Sequence, residues 1–186
     1  MRAFKDYNTT QEYTDFQKLP AGAYEVKIIR AEDSDDALCL LFDIDGGEFD
    51  SFYHKKFADD KKSFGNKAKY KGVLRVWYPD GGEYDDNKKR RLKTVLKTIC
   101  EDNSLSIDFT KEWDGADLKG ARTGVIFRDT EWEYEGKTGV TALPYTIISL
   151  EKLKSGEFTI PEIKRLKNSG FTDVTSLVDE DDDLDF

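Results

Sequence analysis

The sequence predicts a mainly β fold with one embedded α-helix and an acidic tail. Three observations carry this: apolar residues at every second position in several short runs, one stretch where they recur with helical period, and a block of acids at the end. The 186 residues are 38% hydrophobic and 36% charged, which suits one folded domain with a modest core.

Leu19-Pro20-Ala21-Gly22 is a turn that launches the first strand, in which Tyr24, Val26 and Ile28 alternate with Glu25 and Lys27. Asp33 to Asp36 is a polar turn, and Leu38, Leu40, Phe42 and Ile44 define the second strand. Gly46-Gly47 signals a hairpin, so Phe49 to Phe57 reads as a third strand that completes an antiparallel meander. Residues 58–72 are rich in Lys and Gly without apolar periodicity and read as a long loop. Val73 to Tyr78 is a short strand stopped by Pro79-Asp80-Gly81-Gly82.

The helix follows, capped by Asp86 or Asn87, with Leu92, Val95, Leu96, Ile99 and Cys100 at i, i+3, i+4, i+7 and i+8. Lys88, Lys89, Arg90, Lys93 and Lys97 occupy its other face. Arg122 to Arg128 forms the next strand, Glu131-Trp132-Glu133-Tyr134-Glu135 leads a hairpin turning at Gly136-Lys137, and Leu143 to Leu150 returns. Short turns around Pro161 and Gly170 occupy residues 151–178. A helix set between the third or fourth strand and the later ones is the order expected of an OB-fold, a small Greek-key barrel. Residues 1–170 are assigned to this OB-fold-like domain and 171–186 to a flexible acidic tail.

The net charge of −9 is unevenly placed. Asp179, Glu180, Asp181, Asp182, Asp183 and Asp185 lie in the last eight residues and leave only −3 for residues 1–178. No apolar run reaches the length of a membrane span, and MRAFKDYNTT lacks the apolar stretch of a secretion signal, so a cytoplasmic protein without a membrane partner is expected. Cys39 and Cys100, in apolar surroundings, read as buried free thiols. With His54 they make no recognisable zinc spacing, and neither a metal nor a cofactor is expected.

The stretch from His54 to Arg75 is the most informative. Lys55, Lys56, Lys61, Lys62, Lys67, Lys69, Lys71 and Arg75 face only Asp59 and Asp60 in opposition, with Phe57, Phe64 and Tyr70 interleaved and Trp77 just beyond. Lysines neutralise a line of phosphates, and flat rings stack on unpaired bases. If Leu74, Val76 and Tyr78 are core, alternation turns Arg75 and Trp77 outward, where a guanidinium beside an indole suits stacking. Trp132 and Tyr134, with Arg122, are further candidates for contact with single-stranded DNA.

Asp181-Asp182-Asp183-Leu184-Asp185-Phe186 cannot pack into a core, yet its closing Leu184 and Phe186 are odd in a mere solubiliser. An acidic lead-in to a terminal aromatic suits a basic pocket on a partner protein, and the same segment can compete with DNA for the chain's own lysines. This ending resembles the acidic tip of bacterial and phage single-stranded DNA-binding proteins, with Leu184-Asp185-Phe186 where Ile-Pro-Phe is usual.

The body resembles a family of small tailed-phage proteins described as single-stranded DNA-binding proteins. The matching strings are Leu19-Pro20-Ala21-Gly22-Ala23-Tyr24-Glu25-Val26, Leu96-Lys97-Thr98-Ile99-Cys100, Trp132-Glu133-Tyr134-Glu135-Gly136-Lys137-Thr138-Gly139 and the run from Gly156 to Leu166. The resemblance implies a place in a phage replication or recombination module, in the cytoplasm of an infected bacterium, with replication or recombination proteins as partners of the tip. A homo-oligomer is compatible with it. No catalytic motif appears: there is no phosphate-binding loop lysine, HExxH or GxSxG, and a single histidine leaves few general bases, so no enzyme activity is expected. The alternative is an acidic interaction protein or DNA-mimic inhibitor that does not bind DNA.

Overall fold

The computed structural model describes Lys5, Asn8 and residues 17–166; the acidic tail from 171 onward, including Asp181 to Phe186, lies outside the described residues. Alternating apolar residues build β1 (Gly22–Ser34) and β2 (Ala37–Ile44), which pair antiparallel. The β1 strand is long enough to serve two partners. Its first half pairs with β4 (Arg122–Tyr134) and its second half with β2. β2 also pairs with β3 (Val73–Trp77), and β4 with β5 (Lys137–Ile148), giving one five-stranded antiparallel sheet in the order β3-β2-β1-β4-β5. The sheet is open. It is nevertheless curled, and its two edge strands, β3 and β5, come within 8 Å Cα–Cα of each other with no ladder between them.

Val26, Ile28, Leu38, Leu40, Phe42, Leu74, Val76, Val125 and Phe127 line the concave face and are buried. The helix α2 (Asp85–Asn103) lays Val95, Leu96 and Ile99 on that face. Arg91 ties α2 to the far edge by donating from Nη2 to the Tyr145 carbonyl at 2.7 Å. Asp85 and Asp86 stand in the first turn of α2, where carboxylates suit the dipole, and Tyr84 rather than Asp86 or Asn87 is the cap position. A short α3 (Leu150–Ser155), in the span read as turns, is capped by the Ser149 hydroxyl.

The expected third strand is a helix. Phe49 to Phe57 enters α1 (Phe52–Phe64), which continues into the expected loop and ends in a 3-10 turn, Gly65–Lys67, leaving residues 68–72 irregular. The aromatics favour strands by propensity, but Phe49, Phe52, Tyr53 and Phe57 repeat at three to four residues, and that period decides. Tyr53 is buried against Phe42 and Phe127, with ring centroids 5.9 and 6.4 Å apart. The N-terminus of α1 has no cap from its own Ser51. Asp43 of β2 supplies one instead, its two oxygens accepting from the Tyr53 and His54 amides at 2.9 Å each. The chain therefore has three α-helices among the described residues where one was expected, and the meander's third strand is β3.

Candidate nucleic-acid interface

The register of the edge strand sets which side chains face out. Val76 lies opposite Leu38 and Leu74 opposite Leu40, so both point into the core. Arg75 and Trp77, opposite Cys39 and Ala37, point to solvent, and Trp77 is 44% exposed. Arg75 is held at its head: Nη2 donates to the Ser34 hydroxyl at 3.0 Å and to the Asp36 carboxylate at 3.2 Å, both in the β1–β2 turn. Its guanidinium carbon lies 5.3 Å from the Trp77 ring centroid. That stack fixes the indole on one side of an exposed strand. Tyr78 donates its hydroxyl to Asp33 and its amide to the Asp36 carbonyl, binding the end of β3 to the same turn.

The outward side of β1, β2 and β3 is thus built in rows, Arg30–Leu41–Val73, Glu32–Cys39–Arg75 and Ser34–Ala37–Trp77, with Ala37 itself fully buried. Arg30 and Leu41 are additions that the sequence did not flag. A bulge between Ile28 and Arg30 shifts the parity of β1, so reading alternate residues from Tyr24 misplaces everything after Ile28. Cys39 and Cys100 are free and half-buried, not fully enclosed.

The basic segment feeds directly into β3. Lys61, Lys67 and Lys69 are exposed and make no ion pair among the described residues. Lys62 pairs with Asp59 at 2.8 Å and Lys71 with Asp60 at 3.4 Å, both near the surface. Lys55 donates to the Asp50 carbonyl, and Lys56 lies half-buried with its ammonium 5.8 Å from the Phe52 ring. Burial, and then the nearby Lys71, push the Lys56 proton affinity down, partly offset by Asp60.

The rings in this segment separate into two kinds. Phe57 and Tyr70 pack on each other at 5.7 Å and Tyr70 donates to the Phe42 carbonyl at 3.1 Å, so both brace α1 against β2. Phe64, at the end of α1, is 64% exposed.

Trp132 and Tyr134 do not join this face. Gly22, at the start of β1, pairs with Phe127, so β4 from Arg128 onward projects past β1 as an arm with β5. Trp77 sits at the other end of β1, beside the Ser34–Ala37 turn. The two aromatic patches are separate. Arg122 lies at the base of β4 and pairs with Asp45, Nε to Oδ2 2.7 Å. On the arm, Arg128 stacks over Tyr145 at 4.4 Å, beside a cleft of about 280 Å3 lined by Arg128, Thr130, Leu143, Pro144, Tyr145 and Lys164. Of these lining residues, none stood out in the sequence, because a bulge in β5 at Tyr145 and a lone bridge from Thr130 to Lys164 assemble them.

Among the described residues no group of three His, Cys, Asp or Glu side chains is placed to hold a metal ion, and no helix is long and apolar enough to cross a membrane. No protein-family model matches the chain, and no curated protein matches it in sequence.

Proposed function

We propose that this chain binds single-stranded DNA with little sequence preference, and that its acidic end, Asp181 to Phe186, recruits replication or recombination proteins of a phage system. The observation that carries the reading is the Arg75–Trp77 stack, exposed on the outward face of β3 and entered directly from Lys61, Lys67 and Lys69. One pre-oriented indole takes a base, and the lysines upstream take successive phosphates. Such contacts read the π-face and the backbone rather than base edges, hence the weak preference.

The fold supports the reading in a second way. Joining β3 to β5, the two edges that already approach each other, would close the sheet into a Greek-key barrel with the helix α2 between its third and fourth strands. That is the OB type, in which the face of the second and third strands and the loops beside it receive oligonucleotides. The Arg75–Trp77 stack lies on that face, and its anchors Ser34 and Asp36 lie in the first such loop.

The test is titration of labelled oligo-dT with the full chain at increasing salt. If three to five lysines each meet a phosphate, log K falls against log salt with a slope of about −2 to −4. No binding at low salt, with binding to a protein partner retained, would favour the acidic interaction protein instead.

A further inference from the structure

The β4–β5 arm holds an indole in a fixed seat. Trp132 lies opposite Gly139, and a methyl group built on that glycine would come 2.6 Å from Cζ2 and 2.8 Å from Cε2 of the ring. The ring therefore rests on bare backbone, which only glycine permits. Its edge is fixed too, Nε1 donating to the Thr141 hydroxyl at 3.1 Å. With one side against Gly139 and one edge bonded, the indole is still 41% exposed. Along the same face of β4 stand Tyr134, 67% exposed, and Arg128, and across from them Leu143, 47% exposed. The cleft between Arg128, Tyr145 and Lys164 adjoins this row.

We propose that the outward face of the arm is a second stacking site for unpaired bases. Trp132 is the platform, Gly139 and Thr141 are positioning residues, and the Arg128–Lys164 cleft receives backbone phosphate. This rests on the single-stranded DNA reading and adds a consequence to it. The arm and the Trp77 face lie toward opposite ends of β1, so one DNA strand must run across the sheet to engage both, and short oligonucleotides engage one patch only.

The chemistry favours DNA over a protein surface as the occupant. Trp132 and Tyr134 stand singly on a row shared with a guanidinium, an ammonium and threonines, so flat rings and cations lie side by side as successive bases and phosphates require.

The experiment compares the full chain with Trp132→Leu, which keeps apolar bulk on Gly139 but has no ring, and with Gly139→Ala, which unseats the ring. Affinity is read with oligo-dT longer than about 16 nucleotides and with a short oligo-dT of about 4. Both variants are expected to lose about tenfold or more on the long oligonucleotide, and Trp132→Phe to recover most of it. Trp77→Ala should then reduce the remaining binding of Trp132→Leu on the long oligonucleotide. Wild-type binding left unchanged by Trp132→Leu and Gly139→Ala would overturn the second site while leaving the Trp77 face standing. Failure of the wild type to bind at all would sink both. A loss of self-association in Trp132→Leu with unchanged DNA affinity would assign the arm to protein contact and equally defeat the proposal.

Discussion

At the scale of single residues, Trp77 is the sharpest test of the proposed function and Tyr53 of stability. Trp77 projects from β3, 44% exposed and with the Arg75 guanidinium over its ring, so Trp77→Ala should weaken oligo-dT binding by about five- to a hundredfold. Its unfolding free energy should change by less than about 1 kcal/mol, measured by urea titration. A collapse of stability would make Trp77 a core residue and remove the argument for it. The Tyr53 phenol has its pKa pushed up, first by burial among Phe42 and Phe127 and then by Asp43 and Tyr24. The sign follows: with the folded-state value above the unfolded one, this tyrosine's contribution is intact below about pH 10 and is lost as pH climbs beyond it. The urea midpoint should stay flat through neutral pH and fall above about pH 10, and Tyr53→Phe should flatten part of that fall.

At the scale of elements, α1 depends on a residue remote in sequence. Asp43 caps it from β2, so Asp43→Ala should cost about 1–2 kcal/mol and loosen the lysine-bearing helix as a unit. Hydrogen exchange across residues 52–64 reads this; protection unchanged from wild type would show that the cap is dispensable. The same helix marks the limit of what could be read from the sequence. The first half of β1, β2, β3 and α2 are legible because each has one buried face and a clean period, and the β3 parity that turns Arg75 and Trp77 outward follows from three apolar residues. α1 resembles a strand in sequence because of its aromatic content, and its cap is not local. The arm resembles separate short strands in sequence because Thr138-Gly139-Val140-Thr141 has too few apolar residues to alternate visibly, although the register carries β5 through it. Bulges at Ile28/Arg30 and at Tyr145 and the lone bridge from Thr130 to Lys164 leave no signature in hydropathy, and they decide whether Arg30, Tyr145 and Lys164 join a surface.

At the scale of the whole molecule, charge is partitioned. Residues 1–178 carry −3 and the final eight residues −6, so most of the net negative charge sits in the last eight positions. On the proposed function, removing residues 179–186 should leave oligo-dT affinity unchanged or raise it, as competition between the acidic end and DNA for the same lysines requires, and should abolish capture of a partner protein. Affinity measurements on full-length and shortened chains check this; a drop on shortening would contradict competition. The sheet stays open between β3 and β5, and α2 lies against both of these edges.

The most direct measurement of the central claim is tryptophan fluorescence of the full chain during titration with oligo-dT, repeated at rising salt and with Trp77→Ala. Stacking on Trp77 predicts saturable quenching at low salt that weakens steeply as salt rises and shrinks in the variant. Fluorescence that stays flat as oligonucleotide is added, or quenching indifferent to salt and to Trp77, would contradict it.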